Sequence, residues 1–180
     1  MMFSPEQAIL VVIDIQGKLA YLMDQKETLF KNVKGLIQTA QFLCLPIVLT
    51  EQVPEKIGAT IPEIKDLLPE LQPIKKNSFS CYLDKSFLTR IQSLKRKQII
   101  VCGIEAHVCV IQTVLDLLEN KYSVQVIADA VSSRKANDKC YALERMRKEG
   151  ADITTCEMIV TELLRTSTHP RFKEVLNLVK

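Results

Sequence analysis

The 180-residue chain is predicted to fold as one three-layer α/β/α domain, Rossmann-like, around a mostly parallel sheet of about six strands. Three observations carry that expectation. Short apolar runs of strand length alternate with longer segments of helical period, the pattern of consecutive βαβ units. Several runs are apolar throughout, as strands covered by helices on both faces must be. A length of 180 residues with 47% hydrophobic and 25% charged side chains suits a single globular core.

The elements follow in order. Ala8–Ile13 (AILVVI) is a continuous, largely β-branched run ending in Asp14, a strand buried on both faces. Leu29, Val33, Leu36, Ile37, Ala40 and Leu43 recur at helical spacing, and Pro46–Thr50 (PIVLT) reads as the second strand. From Glu51 to Pro73 the chain carries four prolines and Gly58, so loop with at most one short helix is expected. Pro73–Lys75 begins a third strand. Leu88, Ile91 and Leu94 mark a helix, Gln98–Cys102 (QIIVC) a fourth strand, and Gly103 closes it. Val108, Ile111, Val114, Leu115 and Leu118 trace one helical face, then Val124–Ala128 forms a strand closed by Asp129. Tyr141, Leu143, Met146 and Gly150 fit a helix with its stop, and Asp152–Thr155 the sixth strand. Helices over Glu157–Leu164 and Phe172–Val179 end the chain.

Composition removes several function classes. The 24 Lys+Arg and 21 Asp+Glu leave a net charge of 24 − 21 = +3, too near balance for a dedicated nucleic-acid binder. No apolar run approaches the roughly 18 residues of a membrane span, and Met1–Gln7 lacks the basic region of a secretory signal. The six cysteines form no C-x-x-C pair, which argues against a zinc knuckle or a thioredoxin-type site and for free thiols in a cytoplasmic protein.

Chemistry is expected at the carboxyl ends of the strands, where open α/β sheets bind ligands. The five glycines spell neither G-x-G-x-x-G nor a P-loop, and there is no G-x-S-x-G elbow. What the strand ends offer is a carboxylate, Asp14, an ammonium, Lys76, and a thiol, Cys109. A thiol at the start of a helix, beside a lysine, is expected to lean toward thiolate, and a carboxylate could take its proton. Taken alone, Cys109 also reads as a core cysteine and Lys76 as an ordinary solvated lysine.

Four segments in order resemble the isochorismatase-like cysteine hydrolase superfamily, which includes nicotinamidases and N-carbamoyl amidohydrolases. They are Val11–Gln16 (VVIDIQ), Lys76–Ser80 (KNSFS), Val101–Val110 (VCGIEAHVCV) and Ile127–Arg134 (IADAVSSR). The resemblance implies Cys109 as nucleophile, Asp14 as general base and acid, and Lys76 as the cationic member. Lys75 lacks the family spacing to Phe79-Ser80, and neighbours on a strand face opposite ways. It also implies a cis peptide at Ile104–Glu105 and an oxyanion hole from the backbone N–H groups of Glu105 and Cys109. Gln16, Gln52, Phe79 and His107 are candidates for the pocket wall or for support behind it.

The departures bear on substrate. Nicotinamidases usually hold a divalent metal with an aspartate and two histidines after the second strand, and the matching Glu51–Gly58 segment has no histidine. No metal or cofactor is therefore expected, nor nicotinamidase activity. The segments TEQ (50–52), GIEAHVCV (103–110) and ELL (162–164) look nearer to the uncharacterised isochorismatase-domain branch. The expected function is hydrolysis of a small amide or related C–N bond through a Cys109 thioester. The alternatives are a catalytically silent binding or scaffold protein and a thiol redox sensor. The expected partners are a small-molecule substrate and, as commonly in the family, further copies of the chain. The C-terminal stripe of Phe172, Val175, Leu176 and Val179 could face such a copy or this chain's own sheet.

Overall fold

The computed structural model describes residues 2–179. Six strands, β1 (Ala8–Ile13), β2 (Ile47–Gln52), β3 (Ile74–Lys76), β4 (Gln98–Ile104), β5 (Ser123–Ser132) and β6 (Asp152–Thr154), form one sheet. All pairings are parallel, in the order β3-β2-β1-β4-β5-β6. The helices are α1 (Gly17–Ala20), α2 (Lys26–Phe42), α3 (Pro54–Ile57), α4 (Pro62–Lys65), α5 (Lys85–Ser93), α6 (Ile111–Glu119), α7 (Ala136–Lys148), α8 (Cys156–Leu164) and α9 (Phe172–Asn177).

Alternation along the central strands builds the two cores. Leu10 and Val12 of β1, with Ile100 and Cys102 of β4, face a cluster completed by α2, α8 and α9. Ile9, Val11 and Ile13, with Ile99 and Val101, face the opposite cluster, built with α5, α6 and α7. Every residue of β1 and β4 is buried, which accounts for their unbroken apolar runs. The C-terminal stripe packs on its own chain: Val175 and Val179 join the first core, with Phe172 and Leu176 against it.

Several elements differ from the sequence expectation. The Glu51–Pro73 stretch holds two short helices instead of at most one, and each begins on a proline at its first turn. Proline there loses nothing, because that N–H has no helical partner and the fixed φ already suits a helix. Strands β2 and β4 run two residues further than expected, and β5 continues to Ser132 instead of stopping before Asp129. The β4–β5 register jumps between Val101↔Val126 and Gly103↔Val131, so Asp129 sits in an irregularity of β5. There its carboxylate accepts from the Cys156 N–H at 2.9 Å and its carbonyl from Asn32 at 2.8 Å. Asp129 thereby tethers α8 and α2 to the sheet.

Gly103 is required where β4 passes β1. Its φ is +125°, and a Cβ there would lie 2.1 Å from the Ile13 carbonyl oxygen and 2.6 Å from the Ile13 nitrogen, both backbone atoms. Gly150, at φ +107°, has nothing within 4 Å of the same point. Both Gly→Ala changes should incur backbone strain of about 1–3 kcal/mol. Gly103→Ala should cost clearly more, since the two central strands must also separate. Equal urea midpoints for the two variants would contradict this.

Candidate active site

The order of the strands reverses between β1 and β4: β2 and β3 follow on one side of β1, β5 and β6 on the other side of β4. Such a switch point leaves a crevice beyond the strand ends, since the connections depart in opposite directions. Asp14 leaves β1 at this point with φ +51°, a left-handed turn that aspartate tolerates better than most residues. Two strands away, Lys76 ends β3 beside Gln52 of β2. Lys75 is exposed and Lys76 is 2% exposed, as pleating requires of neighbours.

Lys76 reaches across the end of β2. Its ammonium donates to Asp14 Oδ2 at 2.7 Å and to Gln52 Oε1 at 2.6 Å, with the Ser78 and Phe79 carbonyls each at 3.1 Å. The Thr50 hydroxyl donates to Asp14 Oδ1 at 2.7 Å. Gln52 is itself fixed, donating to the Asn77 carbonyl at 2.8 Å. A buried ion pair survives only with its remaining hydrogen-bonding capacity met, and here it is met on every side. Burial opposes the Lys76 charge, yet the pKa is raised. At neutral pH the anion responsible is Asp14.

Cys109 arrives from the other side of the crevice. The Ile104–Glu105 peptide is cis. The chain then makes a wide turn over Ala106–Val110, in which Val110 N–H donates to the Glu105 carbonyl at 3.2 Å, before α6 begins. Insertions of this kind recur at functional sites because they re-aim a side chain. Cys109 is 7% exposed, with its sulfur 4.0 Å from Gln52 Oε1 and Asp14 among its electrostatic neighbours. Burial first, then the Asp14 charge, pushes this thiol well above its ordinary range, while Lys76 pulls the other way. The expectation of a standing thiolate is thereby corrected. The helix end and the lysine are outweighed by desolvation and by the very carboxylate placed to accept the proton.

Asp14, Gln16, Leu19, Gln52, Ile57, Phe79, Ile104, Glu105, Val108 and Cys109 line a cavity of about 130 Å³. Gln16 braces its floor, donating to the Gly58 carbonyl at 2.6 Å and the Gln52 carbonyl at 3.2 Å, and accepting from Gln52 N–H at 2.6 Å. His107 lies outside this cavity. Its Nδ1 is paired with the Ser133 hydroxyl at 2.9 Å and its Nε2 faces Asp138 at 3.9 Å. His169 is likewise remote, its Nδ1 accepting from the Arg171 N–H at 3.1 Å. Among the described residues, no three His, Cys, Asp or Glu side chains gather as a metal-binding group.

Sequence reasoning missed two members of the site. Thr50, next to Asp14 through the β1–β2 register, could have been found from the strand-end rule once β2 was aligned. Cys81 was unforeseen, since no pattern links it to Cys109. Its sulfur lies 3.8 Å from the Thr50 hydroxyl, and burial followed by the Asp14 charge pushes its thiol up to about 12.

The Isochorismatase domain family model matches residues 8–158 of this chain. The chain belongs to the isochorismatase family. Isochorismatase domain-containing protein 2 of Danio rerio is 36% identical over 177 residues, covering 98% of this chain and 88% of the relative. The secreted isochorismatase effector Isc1 of Phytophthora sojae is 35% identical, over 98% and 86%. Among solved structures, the MAR1 ribonuclease of Caenorhabditis elegans superposes with a TM-score of 0.92 at 38% identity, over 99% and 92% of the two chains. YcaC of Pseudomonas aeruginosa, solved with hexane-2,5-diol and covalent acrylamide, shares the fold with a TM-score of 0.93 at 24% identity, over 99% and 91%. This isochorismatase-family chain carries a hydrolase fold, and that supports a hydrolytic role. Among the described residues no helix is long and apolar enough to cross a membrane.

The ion pair makes a prediction about stability. Asp14→Asn should leave the buried Lys76 ammonium short of its countercharge and cost about 3–5 kcal/mol, the scale for breaking a buried pair. The cost reaches beyond the two charges, because Thr50 and Gln52 tie the pair into three strand ends. Lys76→Met in the Asp14→Asn background should recover most of the loss in urea denaturation. A double variant no more stable than Asp14→Asn alone would show that the pair is not what holds these strand ends.

Proposed function

We propose that the protein is a cysteine amidohydrolase acting on a small amide or related C–N bond. The observation that carries this reading is the meeting of Asp14, Lys76 and Cys109 at the head of one small cavity. Because the resting thiol is held protonated, Asp14 acts as base when substrate arrives: it takes the Cys109 proton as the sulfur attacks the carbonyl carbon. The carbonyl π electrons move onto oxygen, which the N–H groups of Glu105 and Cys109 receive. When the C–N bond breaks, Asp14 gives its proton to the leaving nitrogen, and a thioester remains on Cys109. Asp14 then takes a proton from water, hydroxide displaces the sulfur, and the thiol is restored. Lys76 offsets the carboxylate's charge in the buried site and fixes its direction. Gln16 and Gln52 hold the strand ends that carry them.

The ribonuclease name of one structural relative prompts a comparison with RNA chemistry. A cavity of about 130 Å³ with no lining cation suits a small acyl group and not a nucleotide. The six free cysteines fit a reducing compartment, and we read the protein as cytoplasmic. We also read it as a homo-oligomer. One structural neighbour, YcaC of Escherichia coli, is described as an octameric hydrolase, and Leu83 and Tyr141 stand 71% and 70% exposed here.

The test is incubation with a panel of small neutral primary amides, following ammonia release and the mass of the Cys109 peptide. A transient acyl adduct on Cys109 is expected, and Cys109→Ala should release no ammonia. Asp14→Asn, where folded, should lose at least about 10²-fold in turnover, the low end for a removed acid–base group. A redox sensor would instead gain oxygen on Cys109 with peroxide and never an acyl group. Turnover should persist after exhaustive EDTA treatment. Loss of activity that a divalent metal restores would overturn the metal-free mechanism.

A further inference from the structure

The lining of the cavity is asymmetric in charge. Among the described residues that form it, two are carboxylates, Asp14 and Glu105, and none is Lys, Arg or His. Leu19, Ile57, Phe79, Ile104 and Val108 supply most of the rest. The two carboxylates are not equivalent. Asp14 is neutralised from below by Lys76, whose side chain is wholly buried. Glu105 is 8% exposed, and its countercharge is Arg134, whose Nε donates to Oε2 at 2.9 Å from outside the cavity. The Arg134 side chain is 56% exposed, so its field is screened by water, whereas the Glu105 side chain is 9% exposed and this residue lines the cavity.

We propose that Glu105 is a specificity-determining residue, an anion filter that restricts the substrate to neutral amides with a compact, apolar acyl group. This rests on the proposed use of Cys109 as nucleophile. The size limit follows from volume. Cavities of roughly 150 Å³ lined by apolar side chains take a guest the size of benzene, so about six heavy atoms fit here. The charge limit follows from Coulomb repulsion in a partly desolvated site, where juxtaposed like charges cost more than a tenfold factor in binding. An amide bearing a free carboxylate, such as an N-carbamoyl amino acid, is turned away. So is a phosphodiester.

Iodoacetamide and iodoacetate test this without knowledge of the substrate, since they alkylate sulfur alike and differ in one negative charge. The exposed Cys44 and Cys140 provide the reference within the same molecule. Alkylation of each cysteine in the folded protein is followed by peptide mass spectrometry at low salt. The iodoacetamide-to-iodoacetate rate ratio at Cys109 should exceed that at Cys44 and Cys140 by at least about tenfold. Glu105→Gln should bring the Cys109 ratio down several-fold toward the reference. Arg134→Met should raise it, and this variant, once shown folded by circular dichroism, decides the matter if Glu105→Gln fails to fold. A Cys109 ratio equal to the reference, or one that neither variant moves, overturns the filter and leaves the hydrolase reading standing. A Cys109 that neither reagent alkylates faster than buried Cys81, Cys102 and Cys156 overturns both.

Discussion

The site depends on one buried contact, the 2.7 Å pairing of Lys76 with Asp14. It joins the end of β3 to the end of β1 across β2, so it can form only if three parallel strands are in register. The lysine stem is long enough for that span, and the strand between contributes Thr50 and Gln52 to the same network. Charge removed from water is costly unless every lone pair and proton is engaged. The sheet therefore has to be complete before the pair is favourable, and the pair in turn fixes the carboxylate beside Cys109. Fold and chemistry share one set of hydrogen bonds.

The same contact sets the protonation logic. A thiol facing a carboxylate in a dry cleft is held protonated, and the ammonium behind that carboxylate only partly offsets this. Activation then belongs to the encounter with substrate and not to the resting molecule. Such an arrangement confines the sulfur's nucleophilicity to electrophiles small enough to enter the cavity beside Asp14, where the carboxylate can take the proton as the sulfur attacks. The nearby Cys81 is fully buried beside the same anion, and its thiol is likewise pushed up.

Much of this was legible in the sequence. β1 announced its full extent because a buried strand must be apolar at every position, and Asp14 stood out as the polar residue ending it. Asp14, Lys76 and Cys109 lay at or just past strand ends, where the parallel fold directs ligands. What stayed hidden depended on contacts distant in sequence. The irregular path of β5 is stabilised by Asn32 and Cys156, neither of them near it in the chain. The prolines of the β2–β3 connection read as interruptions but start helices, since proline's effect reverses between a helix interior and its first turn. The direction of the Cys109 pKa was misread because the sequence displays the lysine and the helix start but not the extent of burial.

Gln16 behaves as a short piece of strand made from a side chain. Its amide mimics a peptide unit, both receiving and giving hydrogen bonds with Gln52 and reaching Gly58. Gly17 completes the joint: a Cβ there would lie 2.0 Å from the Ile57 carbonyl oxygen, so the two loops meet backbone to backbone. Leu19 and Ile57, which both line the cavity, are thus carried by segments that cannot shift independently. Enlarging the cavity by natural drift or in the laboratory is therefore a paired problem. A library varying positions 19 and 57 together explores shapes that sequential single changes would pass over, because each change is judged against a wall that does not yield.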